Sequence, residues 1–138
     1  MYSTHTNHCI CGAAYKLGGI GNHACDLSTS TSWTEWKDAN NLPTATGNYY
    51  LANNVTLSST WTPADKTVLC LNGKTVKMTE NGAVISLEKA SGSGVAFTLT
   101  DCQTGNAQGT ITHADNATGS GVYVATGCTF NLYGGKIS

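Results

Sequence analysis

The sequence predicts an all-β chain, a parallel β-helix whose N-terminal end is capped by a small Cys/His metal knuckle and a short helix. Three observations lead there. The first twenty-five residues crowd together three cysteines and three histidines. Charge is scarce, with 7 basic and 8 acidic residues among 138 and a net charge of -1, so the polar surface is built from Thr, Ser, Asn and Gly, which suit strands and tight corners. From Asn48 onward, short runs of β-branched and aromatic residues recur with their apolar positions in columns.

The knuckle comes first. His5, His8, Cys9 and Cys11 precede Gly12, and His23 and Cys25 follow Gly21. Thiolate and imidazole are the ligands Zn²⁺ prefers, and a structural site takes four of them. Cys9 and Cys11, one residue apart, are poorly placed to bond to each other but can both reach one ion from extended backbone. His23 and Cys25 repeat that spacing across a Gly-rich hairpin loop. The expected ligands are Cys9, Cys11 and His23, with the fourth open among His8, His5 and Cys25. The competing readings are a disulfide from Cys9 or Cys11 to Cys25 and, for His5 above all, a solvated surface histidine. A closed thiolate site leaves no position for water, so the expected zinc is structural.

A Ser/Thr run from Ser28 to Ser32 leads into the predicted helix. Ser32-Trp33-Thr34-Glu35 fits a capping box, Trp33 and Trp36 then share a face, and Leu42-Pro43 ends it. Packing is the expected role of these tryptophans. With Trp61 they would close the open apolar end and sheet edge of a first rung. The organisation expected is 1–47 for the knuckle and capping helix and 48–138 for the rungs.

The rungs align as follows. Leu69, Phe97 and Phe130 form one column and Leu71, Leu99 and Leu132 a second. Val76, Ile111 and Ile137 form a third, and Ile85 with Val122 and Leu87 with Val124 a fourth. Each repeat therefore supplies three strands. From Leu69 to Phe97 is 28 residues and from Phe97 to Phe130 is 33, the excess falling in the exposed loop Gln103 to Gln108. An earlier, shorter turn is expected at Tyr49-Tyr50-Leu51 and Val55-Thr56-Leu57. The alternative is an antiparallel β-sandwich, which evenly spaced short strands also suit.

The remaining cysteines are read separately. Cys70, between two inward leucines, should face outward or sit in a pleat beside Thr98. Cys128 shares the parity of Phe130 and should point in. Cys102 and Cys128, about one rung apart, could form a disulfide or stay as buried thiols. No column stacks two acids: Asp101 and Asp115 are isolated, Glu80 and Glu88 flank turns, and His113 on a Thr-rich strand reads as a surface residue. An enzyme confined to this segment is not expected. No basic stripe suits nucleic acid, and no apolar run suits membrane insertion. A chain that opens on Met1 and polar residues and stops at Tyr133–Ser138 in what reads as an unfinished strand is expected to be a fragment of a longer one.

At His8, Cys9, Cys11, Gly12 and His23, at Tyr49 through Leu57, Trp61 through Asp65, Val68 through Gly73, Phe97 through Cys102 and Tyr133-Gly134-Gly135, the chain resembles large surface or secreted proteins of gut Firmicutes. The resemblance spans nearly the whole sequence, and Cys25 is not a fixed part of its pattern. It implies a right-handed β-helix and adhesin-like display without catalysis, outside the cell or on the bacterial surface, with a host protein such as an immunoglobulin, or a glycan, as the partner. No residue here matches a binding motif that could be carried over, and neither composition nor resemblance fixes the oligomeric state. A polysaccharide-cleaving β-helix enzyme with its acids on later rungs, or a purely structural cap and stalk, are the other readings.

Overall fold

The structure is a computed structural model that describes residues 33–88, 94–103 and 105–138. The six expected knuckle ligands, Cys9, Cys11, His23, His8, Cys25 and His5, lie outside the described residues, as does Ser32.

The described chain is all-β, and every strand pairing in it is parallel. This excludes the antiparallel sandwich for these residues. Sheet A has the order β1 (Thr34–Trp36), β2 (Asn48–Leu51), β4 (Thr67–Cys70), β7 (Ala96–Thr100), β10 (Thr129–Leu132). Sheet B has the order β11 (Lys136–Ile137), β8 (Thr110–His113), β5 (Thr75–Met78), β3 (Val55–Leu57). Sheet C pairs β6 (Ile85–Leu87) with β9 (Val122–Val124), and Trp61 adds one parallel bridge to Ile85. From β4 to β11 the chain visits A, B and C in that fixed order. The earlier turn expected at 49–57 is present as β2 and β3.

The predicted helix does not form. Thr34–Trp36 is instead the edge strand of sheet A, with Thr34 opposite Tyr49 and Trp36 opposite Leu51. A helix of about ten residues is marginal without a deep apolar face. Here β-branched Thr34 and the open edge of β2 favour extended pairing, and Asp38 then turns the chain by accepting the N–H groups of Asn40 and Asn41 at 2.8 and 3.1 Å.

The core is a single column-built cluster. Leu51, Leu69, Phe97 and Leu99 from sheet A, with Leu71 just after β4, meet Val55, Val76, Met78 and Ile111 from sheet B and Ile85 and Leu87 from sheet C, all essentially sealed from solvent. The columns Val76–Ile111–Ile137, Ile85–Val122, Leu87–Val124, Phe97–Phe130 and Leu99–Leu132 form as aligned. Between β4 and β7 the register is two residues away from expectation: Leu69 lies opposite Leu99, and Thr67 opposite Phe97. A shift of two keeps each side chain on its own face, so the inward pattern survives it. The volume of Phe97 explains the shift. Its ring stands edge-on to Trp61 at 5.3 Å and stacks on Phe130 at 5.9 Å, and the small Thr67 beside it leaves that room.

Corner chemistry locks each parallel strand to its neighbour. Asn72 and Gly73 turn the chain from β4 to β5 with φ of 52° and 74°, left-handed values that Asn and Gly tolerate. Side-chain oxygens of one turn then accept backbone N–H groups of the next: Asn54 from Thr75 at 2.9 Å, Asp65 from Ala96 at 2.8 Å and Asn81 from Thr118 at 2.9 Å. In β4 all four residues are buried, consistent with its near-continuous apolar run continuing into Leu71.

Candidate metal centre

Cys70 ends β4, and Asp101-Cys102 immediately follow β7 on the neighbouring strand. The parallel register sets Cys70 opposite Thr100, not Thr98 as the sequence suggested, and carries Asp101 and Cys102 past it to the Leu71-Asn72 corner. One ligand atom from each of Cys70, Asp101 and Cys102 lies within 4.8 Å of the others. This group could hold a metal ion.

Burial governs its chemistry. Cys70 is 0% exposed, and that burial, followed by the adjoining Cys102 thiol and the charge of Asp101, pushes its thiol far above the ordinary range. Without a cation the Cys70 thiol keeps its proton at neutral pH. A bound cation inverts that balance, because its charge stabilises the thiolate that burial penalises. Two sulfurs select a soft or borderline ion over calcium or magnesium.

Asp101 carries a heavier structural load than its neighbours. Its carboxylate accepts the N–H of Gln103 at 2.8 Å, of Gly109 at 2.6 Å and of Gly73 at 3.1 and 3.3 Å. It therefore ties together the β4–β5 corner, its own loop and the start of β8. Gly109 has to be glycine for this, since a Cβ there would collide with the Lys74 carbonyl and Leu71. Burial raises the Asp101 carboxyl above its ordinary value, and the three backbone donors pull against that rise. With most of its lone-pair directions engaged, Asp101 is the weakest donor of the three. Cys102 is held against the Asn72 corner, its thiol donating to Asn72 Oδ1 at 3.2 Å, while Asn72 Nδ2 donates to the Leu51 carbonyl at 3.0 Å. The hydroxyl of Thr100, buried beside Cys70, has no hydrogen-bond partner among the described residues.

Comparison with protein-family models, with curated proteins and with solved structures finds no match to this chain. The local geometry is therefore what bears on function.

Sequence reasoning did not group Cys70 with Cys102, because the expected register put Cys70 beside Thr98 and looked to Cys128 as the rung neighbour of Cys102. Leu69 set above Leu99 would have found the pair. Cys128 forms no disulfide: it packs against the core, as its parity indicated, and its sulfur accepts the Val95 N–H at 3.3 Å. His113 is half-buried and its Nε2 lies 2.7 Å from the Gly82 carbonyl, so this nitrogen carries the proton and is not a free base. Glu88 accepts the Ser86 hydroxyl at 3.0 Å. The loop around Gln103 to Gln108 contains an exposed 3₁₀ turn at Gly105–Ala107.

Proposed function

We propose that this chain is a non-catalytic binding and display module of a bacterial surface or secreted protein, built from the rungs of a right-handed parallel β-helix. The observation that carries this reading is the outward face of sheet B. Val55, Val76 and Ile111 point in, so Thr56, Lys77 and Thr112 form one outward row and Thr75, Thr110 and Lys136 another. Strands about 4.8 Å apart make this a flat, regular ladder of hydroxyls and ammonium groups. Lys77 and Lys136 make no ion pair among the described residues. A shallow depression of about 270 Å³ lies between Asn54, Thr56, Thr75 and Lys77.

Such a face suits a polar partner, a host protein (an immunoglobulin for instance) or a glycan. A structural zinc held by Cys9, Cys11 and His23 with His8, His5 or Cys25 would stabilise the N-terminal end, and the Cys70–Asp101–Cys102 group offers a second place for a thiophilic ion. Host-protein and glycan arrays probed with the wild-type chain and with Lys77→Glu/Lys136→Glu test the reading. Binding of a host protein or an acidic glycan without turnover, lost in the double variant, is the expected result. Turnover of a polysaccharide would overturn it in favour of an enzyme, and silence across both arrays would leave a structural stalk.

A further inference from the structure

A cleft of about 380 Å³ opens between Trp36 at the end of β1 and Trp61 at the start of sheet C. That is at the small end of the roughly 300–1,000 Å³ of small-molecule sites. Both tryptophans line it, and both are held in a fixed orientation. Trp36 Nε1–H donates to the Asn41 carbonyl at 2.7 Å and Trp61 Nε1–H to that of Pro43 at 2.8 Å. Each ring is also braced edge-on, Trp36 by Tyr49 at 5.6 Å and Trp61 by Phe97 at 5.3 Å. With both indole N–H groups consumed internally, half-buried Trp36 offers the cleft carbon surface, whereas Trp61, 6% exposed, is mostly spent on the core.

The walls supply the opposite chemistry. The side chains of Asn40, Ser58 and Ser59 line the cleft and make no hydrogen bond among the described residues. Asp38 is the only charged lining residue among the described residues. Its carboxylate accepts from Asn40 and Asn41, leaving Oδ2 with capacity for a further donor. A rigid aromatic surface, unpartnered hydroxyl and amide groups and a single negative charge match a ligand with apolar C–H faces and hydroxyl edges. They oppose an anion.

We propose that this cleft is a binding subsite for an uncharged saccharide. A ring face of the sugar lies against the Trp36 indole, and its hydroxyls donate to Asp38 and exchange hydrogen bonds with Asn40, Ser58 and Ser59. The proposal rests on the binding-module reading but not on the face of sheet B, which is a separate surface.

Calorimetric titration of the full chain with cellohexaose, xylohexaose and laminarihexaose, with polygalacturonate as the charged control, tests it. Saturable binding of at least one neutral oligosaccharide is expected, weakened about tenfold by Asp38→Asn, which keeps Oδ1 as acceptor for the Asn40 and Asn41 N–H groups but loses the charged Oδ2 acceptor. Ser59→Arg, an exposed position that fills the cleft without removing core, should abolish binding, whereas Glu80→Gln, exposed and outside both the cleft and the sheet B ladder, should leave it unchanged. Absence of saturation with every neutral probe, a preference for polygalacturonate, or binding that survives both cleft variants would each overturn the assignment. Binding lost in Lys77→Glu and retained in the cleft variants would overturn it while leaving the sheet-face reading standing.

Discussion

Replacing Asp101 by alanine should be among the most damaging single changes available in the described chain. Three backbone N–H groups converge on its carboxylate, Gly73 from the β4–β5 corner and Gln103 and Gly109 from the two ends of the β7–β8 loop. A hydrogen bond to a charged acceptor contributes about 1.5–3 kcal/mol, and a buried donor left without one costs its full desolvation. Gly109 is buried and bears that cost in full, while Gly73 and Gln103 are half-buried and regain part of theirs from water. The sum is about 3–5 kcal/mol, against a total stability of roughly 5–15 kcal/mol for a domain of ordinary size. Asp101→Asn keeps the shape and one acceptor oxygen but turns an amide N–H₂ toward a donor, and should cost about 2 kcal/mol.

Urea unfolding followed by tryptophan fluorescence measures both losses, because Trp61 packs against Phe97 one strand away from the site. Amide exchange should show Gly73 and Gly109 losing protection before the strands do. An Asp101→Ala variant within about 0.5 kcal/mol of wild type would refute the reasoning, since only donors that find other partners could give that result.

Other outcomes follow from the same geometry. Thr67→Val should stabilise the chain by about 1 kcal/mol in the same assay, because the Thr67 hydroxyl is buried without a partner on the face that meets Phe97. Asp38, held below its ordinary 3.8 first by the Asn40 N–H and then by the Asn41 side chain, has a depressed folded-state value. The turn it stabilises should be intact above that pH and lost as pH falls through the lower folded value, read as a change in Trp36 fluorescence through the Asn41 carbonyl that Trp36 holds. Cobalt(II) added to metal-free protein carrying Cys9→Ser/Cys11→Ser should give thiolate charge-transfer absorption that disappears in Cys70→Ser/Cys102→Ser, and a mass two units low from a Cys70–Cys102 disulfide would argue against metal instead.

Much of the fold was legible because its signals are local or strictly periodic. Alternation in Val76-Lys77-Met78 and Ile85-Ser86-Leu87 gives the facing of those strands directly, and Asn72-Gly73 announces its own corner. Strand 34–36 was not legible, because a capping-box pattern depends on four residues whereas strand pairing depends on an edge supplied by residues 48–51. The β4–β7 register was missed for a related reason. Leu69 is an equally good apolar neighbour for Phe97 or Leu99 by pattern alone, and the decision rests on ring volume against Trp61 and on the Asp101 tie, which are long-range. The candidate metal centre inherits that error, since two residues of register decide whether Cys70 and Cys102 meet.

The division of labour among the polar residues also separates stability from recognition. Asp101, Asn72, Asp65, Asn54 and Asn81 sit at corners and spend their side chains on backbone groups of adjoining turns. Lys77 and Lys136 stand on the outward rows of sheet B and make no ion pair among the described residues. Charge reversal there removes no internal hydrogen bond, so Lys77→Glu/Lys136→Glu should unfold within about 0.5 kcal/mol of wild type. A partner held by that face should nevertheless lose most of its affinity, because reversed charges meet it across a flat surface. A double variant that unfolds early would mean that the ladder is part of the scaffold, and the face of sheet B would then have no claim to be the recognition surface.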